Sequence, residues 1–94
     1  MTIRLLVSMQ AAPGKSADLL AAFSSLCKST RDEAGCLQYE FFQSTERPDY
    51  FTLLEKWADQ DALDAHINLL RSKAEYSTLS ELRLGSPDVE RYDT

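Results

Sequence analysis

The sequence predicts one α+β domain, an antiparallel sheet with helices on one of its faces. Three observations predict it. Apolar residues alternate with others at a period of two in several short segments, the mark of strands. Between them run segments whose apolar residues recur at helical spacing. The segments follow the order β-α-β-β-α-α-β, a split βαβ pattern with a broken second helical connection, which is the ferredoxin-like arrangement. With 94 residues and no repeats, linkers or low-complexity stretches, residues 1–94 form a single domain.

The first strand is Ile3 to Gln10, with Ile3, Leu5, Val7 and Met9 on one face. Ala11-Ala12-Pro13-Gly14 breaks it. A helix is predicted from about Lys15 to Glu33, burying Leu19, Leu20, Phe23, Leu26, Cys27 and Thr30, with Gly35 as its left-handed cap. The second strand, Cys36 to Ser44, puts Leu37, Tyr39 and Phe41 opposite Gln38, Glu40 and Phe42. The turn Thr45–Asp49 joins it to a partner strand, Tyr50 to Ala58. There Phe51, Leu53, Glu55 and Trp57 share one face, and Tyr50, Thr52, Leu54 and Lys56 the other. Asp59 is a good N-cap for a short helix, Gln60 to about Ile67. A second helix from about Leu70 to Leu84 stops at Gly85-Ser86-Pro87, and Val89 to Tyr92 is the last strand. Both faces of the paired central strands hold aliphatic or aromatic side chains, while helices cover only one. The expectation is a homodimer packed sheet on sheet.

Composition narrows the function classes. Hydrophobic residues make up 44% and charged residues 27%, ordinary for a folded domain. The net charge of −5 argues against nucleic-acid or anionic-membrane binding, which needs clustered Lys and Arg. The longest apolar run, Leu19–Phe23, is too short to span a bilayer. Met1-Thr2-Ile3-Arg4 lacks a secretory pattern, so a cytoplasmic protein is expected. One His and two Cys cannot supply a zinc sphere, so no metal is expected, and Cys27 and Cys36 read as reduced thiols. Pro13-Gly14-Lys15-Ser16 is not a phosphate loop, because the motif's first glycine would fall at Met9.

Few residues could carry chemistry. Trp57 with Glu55 on the same strand face offers a flat stacking surface with one N–H donor, or simply a core Trp beside an ion-paired Glu. His66, the single histidine, suits a general base or a holder of a phenolic oxygen. It also suits a helix end, where the dipole favours it. The tyrosines, Tyr39 and Tyr76 among them, are donors to a quinone-like oxygen or packing residues with wet hydroxyls.

Several blocks, in this order, resemble the antibiotic biosynthesis monooxygenase superfamily of dimeric α+β-barrel proteins. They are Pro13-Gly14-Lys15, Arg31-Asp32-Glu33-Ala34-Gly35-Cys36, Leu37-Gln38-Tyr39-Glu40, Glu55-Lys56-Trp57 and Ala62-Leu63-Asp64-Ala65-His66. The resemblance spans residues 3 to about 84. It implies a homodimer that oxygenates a small electron-rich aromatic, such as a quinol, with molecular oxygen and no cofactor. It also implies that His66 and Trp57 are catalytic and that Tyr39, Phe51, Leu53, Glu55 and Tyr76 surround the substrate. The chain departs from the family at Ala34, where a Pro is common, and at Leu53, where some quinone-forming members carry an Asn. The alternative is a non-catalytic binder or a processor of phosphorylated signalling sugars, for which Arg71, Lys73 and Arg83 could be recruited.

Overall fold

The computed structural model describes residues 1–94, apart from the side chain of Glu75. Its elements are β1 (Ile3–Gln10), α1 (Ser16–Thr30), β2 (Cys36–Gln43), β3 (Tyr50–Trp57), α2 (Gln60–Ser72), α3 (Ala74–Leu82) and β4 (Asp88–Asp93). The four strands form one antiparallel sheet in the order β2-β3-β1-β4, the ferredoxin-like topology. No helix is long and apolar enough to cross a membrane, among the described residues.

The period-two pattern sets the register. Ile3 lies across from Trp57 and Gln10 across from Tyr50, so the apolar faces of β1 and β3 coincide. Ile3, Leu5, Met9, Phe51, Leu53 and Trp57 are all buried beneath the helices. Helix α1 lays Leu19, Phe23, Leu26, Cys27 and Thr30 on this surface. Phe23 stacks on Phe41, whose ring stacks in turn on Phe51, with centroids 4.2 and 4.9 Å apart. Leu20, expected in the buried stripe, lies at its edge and is exposed.

The larger departures from the sequence reading each have a local reason. Helix α1 ends at Thr30, not Glu33. Residues 31–35 form turns instead, with the Asp32 amide donating to Ser29 and the Glu33 amide to Thr30. Gly35 is left-handed as expected (φ +79°), but it shapes the entry to β2 and caps no helix. Leu37 does not share the face of Tyr39. A β-bulge between Cys36 and Gln38 adds one residue to β2, puts Cys36 against the core and turns Leu37 to solvent. Helix α2 runs on to Ser72, because no Gly or Pro interrupts Asn68–Ser72. The break falls at Lys73, in extended conformation, just after Ser72 has turned its hydroxyl onto the Leu69 carbonyl. Helix α3 ends at Leu82, where the chain straightens to pair with the end of β1, the Leu84 amide donating to Gln10.

The helix-free sheet face is mixed, not uniformly apolar. Leu6, Phe42, Leu54 and Tyr92 alternate there with Arg4, Gln38, Glu40 and Lys56. Arg4 donates to the Gln38 side chain, which donates to Glu40.

Gly35 also seals the joint between β2 and α2. A Cβ there would come within 2.5 Å of the Ala62 Cβ. Gly35→Ala therefore combines a left-handed backbone penalty with a collision against a helix. It should destabilise the fold by about 2 kcal/mol or more, lowering Tm by roughly 10 °C. An unchanged melting curve would contradict this packing.

Candidate active site

An apolar cavity of about 140 Å³ lies between the sheet and α1, α2 and α3. Leu5, Val7 and Met9 of β1 and Leu53 of β3 form its floor; Phe23, Leu26, Leu63, Ile67, Leu70 and Leu79 form its helical walls. Five groups with hydrogen-bonding capacity interrupt this lining: Tyr39, Glu55, His66, Tyr76 and Arg83.

His66 sits in the middle of α2, not near its end, so the helix-dipole account of this residue does not apply. It is 4% exposed. Its Nδ1 lies 2.9 Å from a carboxylate oxygen of Glu33. A carboxylate can only accept, so Nδ1 carries the hydrogen; in the neutral imidazole Nε2 then holds the lone pair. The early end of α1 places Glu33 here, in the turn before β2 rather than on a helix.

Glu55 is 6% exposed, with its carboxyl accepting from Trp57 Nε1 at 2.9 Å. Burial pushes its pKa above the ordinary carboxylate range and the Glu33 charge adds to this, while the Trp57 hydrogen bond and His66 pull the other way. Tyr39, buried and edge-on to His66 at 5.3 Å, has its phenol pushed far above the usual range by burial and then by Glu55. It stays protonated, a donor and not a base.

Trp57 is fully buried and does not line the cavity. Its ring lies 4.6 Å from that of His66, tilted by 30°, and its N–H holds Glu55. It thus backs two cavity groups from behind. Phe51 also lies outside the cavity, in the stack under Phe41. The structure brings Tyr39, Leu53, Glu55, His66 and Tyr76 together around one space and sets Trp57 and Phe51 in the layer behind. The sequence reading missed Glu33 as a partner of His66; Arg83, named there only as a cation recruitable for a phosphate, lines the inner cavity. For Glu33, the acidic run ahead of Gly35 was the one available signal.

A wider groove of about 380 Å³ lies outside, between α1 and α3, lined in part by Ser25, Ser29, Lys73 and Thr78. It shares Leu26, Leu70, Tyr76 and Leu79 with the inner cavity. Tyr76, 39% exposed, thus stands between cavity and solvent. Of the cations recruitable for a phosphate, Arg71 is exposed and lines neither space, and Lys73 belongs to the groove.

Cys27 and Cys36 are free thiols, each with its pKa raised first by burial, which disfavours the nucleophilic thiolate. Among the described residues no cluster of three or more His, Cys, Asp or Glu is placed to hold a metal.

The raised pKa of Glu55 has a consequence for stability. The folded chain holds this proton at pH values where the unfolded chain has lost it. Stability therefore falls as pH rises from the ordinary carboxylate value through the folded one. Glu55→Gln keeps an acceptor for Trp57 and removes the titration. Its Tm relative to wild type should climb across the pH range above the ordinary carboxylate value. A constant difference across that range would mean Glu55 does not titrate in this way.

Comparison with known proteins agrees with this architecture. The profile of the family described as "Antibiotic biosynthesis monooxygenase" matches residues 2–74. A solved structure of a Shewanella oneidensis protein superposes with a TM-score of 0.81 at 34% identity, covering 97% of this chain and 88% of that one. A conserved protein of Methanosarcina mazei gives a TM-score of 0.84 at 29% identity over 98% of this chain and 91% of its own. The Bacillus subtilis protein named "Putative monooxygenase YcnE" is 35% identical over 54 residues, 57% of this chain and 57% of its own length. The chain thus spans little more than half of that curated relative. From residues 2–74 and the shared fold, the chain belongs to the antibiotic biosynthesis monooxygenase family.

Proposed function

We propose that the chain is a cofactor-independent monooxygenase that oxidises a small quinol-like aromatic in the inner cavity. One observation carries the reading: a His66–Glu33 pair at 2.9 Å on the wall of an apolar cavity that also contains the high-pKa carboxyl of Glu55. That is a base and an acid held apart by environment in a water-poor space. The cavity volume is close to that of an engineered cavity of roughly 150 Å³ in another protein that takes up benzene, so one ring fits and a second would reach past Tyr76 into the groove.

The chemistry needs a substrate able to give up an electron once deprotonated. His66 Nε2 takes the hydroxyl proton, and Glu33 stabilises the imidazolium. The ring anion passes an electron to oxygen, and recombination forms a carbon–oxygen bond to a peroxide. Glu55 protonates the outer peroxide oxygen. The resulting Glu55 carboxylate then removes the proton on the oxygenated carbon as the O–O bond breaks. A carbonyl forms, and the departing hydroxide takes the proton from His66 as water. One hydroxyarene and one oxygen molecule give one quinone and one water, with both side chains restored. Tyr39 donates to the substrate oxygen throughout.

The working unit we propose is a homodimer closed through the helix-free sheet face, where Leu6, Phe42, Leu54 and Tyr92 remain uncovered in a single chain.

Oxygen uptake with a panel of benzoquinols, naphthoquinols and anthrones, corrected for autoxidation, tests the function. At least one should be consumed well above the blank. Uptake equal to the blank for every member would overturn the reading.

A further inference from the structure

Of the polar cavity groups that the proposed chemistry leaves unused, Tyr76 and Arg83, Arg83 is the cation. It follows α3 in extended conformation, and its backbone bridges to Ala11 at the end of β1. This pairing fixes where its side chain starts. The side chain reaches the cavity that holds His66 and Glu55. Its Nε is buried and has no hydrogen-bond partner. No ion pair to Arg83 is formed among the described residues.

An unpaired guanidinium N–H inside an apolar lining is costly, and a bound anion removes that cost. The guanidinium edge presents parallel N–H donors at the spacing of a carboxylate's two oxygens. A single cation that shares its cavity with the buried acid Glu55 suits one negative charge better than the two of a phosphate ester. The apolar floor of Leu5, Val7 and Leu53 suits a flat ring beside it.

We propose that Arg83 makes the cavity selective for an aromatic ring that carries one carboxylate, held side-on by the guanidinium while its hydroxyl faces His66. The assignment rests on the reading of this cavity as the substrate site and names the class of substrate: a phenolic or quinolic acid. Arg83 is a specificity residue here and takes no part in proton transfer.

The test is calorimetric titration of the intact protein, without oxygen, using gentisate, its neutral amide gentisamide, and phenyl phosphate. Gentisate should bind about tenfold or more tighter than gentisamide. Arg83→Gln should abolish that preference, bringing gentisate affinity to within about twofold of gentisamide affinity. Arg83→Lys, which keeps the charge but loses the fork, should retain only part of it. Equal affinity for acid and amide, no binding of either, or tighter binding of phenyl phosphate overturns the assignment, and so does a preference that survives in Arg83→Gln. The wild-type comparison decides the matter even where a variant fails to fold. Oxygen uptake on gentisate, gentisamide and hydroquinone separates the two readings. Selective binding without uptake keeps the Arg83 assignment and removes the oxygenase. Uptake from hydroquinone with no preference for the acid does the reverse.

Discussion

His66→Gln should lower substrate-dependent oxygen uptake about 10²- to 10⁴-fold, the usual worth of a positioned general base. Glutamine can still hydrogen-bond to Glu33 across the 2.9 Å gap that His66 Nδ1 now spans, but it cannot take a proton. The loss should therefore fall on kcat, with ligand binding little changed. Glu33→Gln should cost less, about 10- to 100-fold, because it leaves the base in place and removes only its orienting carboxylate. The two losses should not add, since both act through one imidazole. Rates measured on an oxygen electrode for the two single variants and the double variant check this. A His66→Gln enzyme with wild-type turnover would remove the base from the mechanism.

Trp57→Ala should be the most destabilising single substitution at the site, at about 3–5 kcal/mol. The indole is fully buried, its removal opens a void against His66, and the Glu55 carboxyl loses its 2.9 Å donor. A domain of this size has a total stability of only about 5–14 kcal/mol. The variant should therefore melt near or below room temperature, or fail to accumulate. Trp57→Phe retains most of the apolar volume and isolates the lost hydrogen bond, so it should cost about 1–3 kcal/mol. Chemical denaturation of both variants gives the comparison. A Trp57→Ala protein as stable as Trp57→Phe would mean the indole contributes little beyond its hydrogen bond.

The sheet was readable because its signal is purely local. Ile3, Leu5 and Met9 against Phe51, Leu53 and Trp57 alternate without interruption, and one buried face then leaves a single register. The helix boundaries were less readable where no Gly or Pro marked them. Nothing in Asn68–Ser72 distinguishes a helix from a loop except continuity, so α2 looked short and His66 looked terminal. The bulge at Leu37 adds a residue without any Gly to announce it. Composition around the site pointed to His66, Glu55 and Tyr39, which do meet in the cavity. It could not point to the Glu33 contact, because that pairing spans 33 residues and depends on where α1 stops. It also could not separate a residue that lines the cavity from one that lies a layer behind it. Trp57 and Leu53 share a strand face and both are buried, yet only Leu53 reaches the space.

In the proposed mechanism a ring bound in the inner cavity is oxygenated directly by molecular oxygen, with His66 as the base. Mass spectrometry of the quinone formed under ¹⁸O₂ tests it most directly, using the substrate that shows the fastest uptake. The expected result is one labelled oxygen in each product molecule, the second labelled atom in water, and loss of product labelling in His66→Gln to the level of the protein-free blank. Quinone whose new oxygen comes from unlabelled water, or labelling that is the same with and without His66, would contradict it.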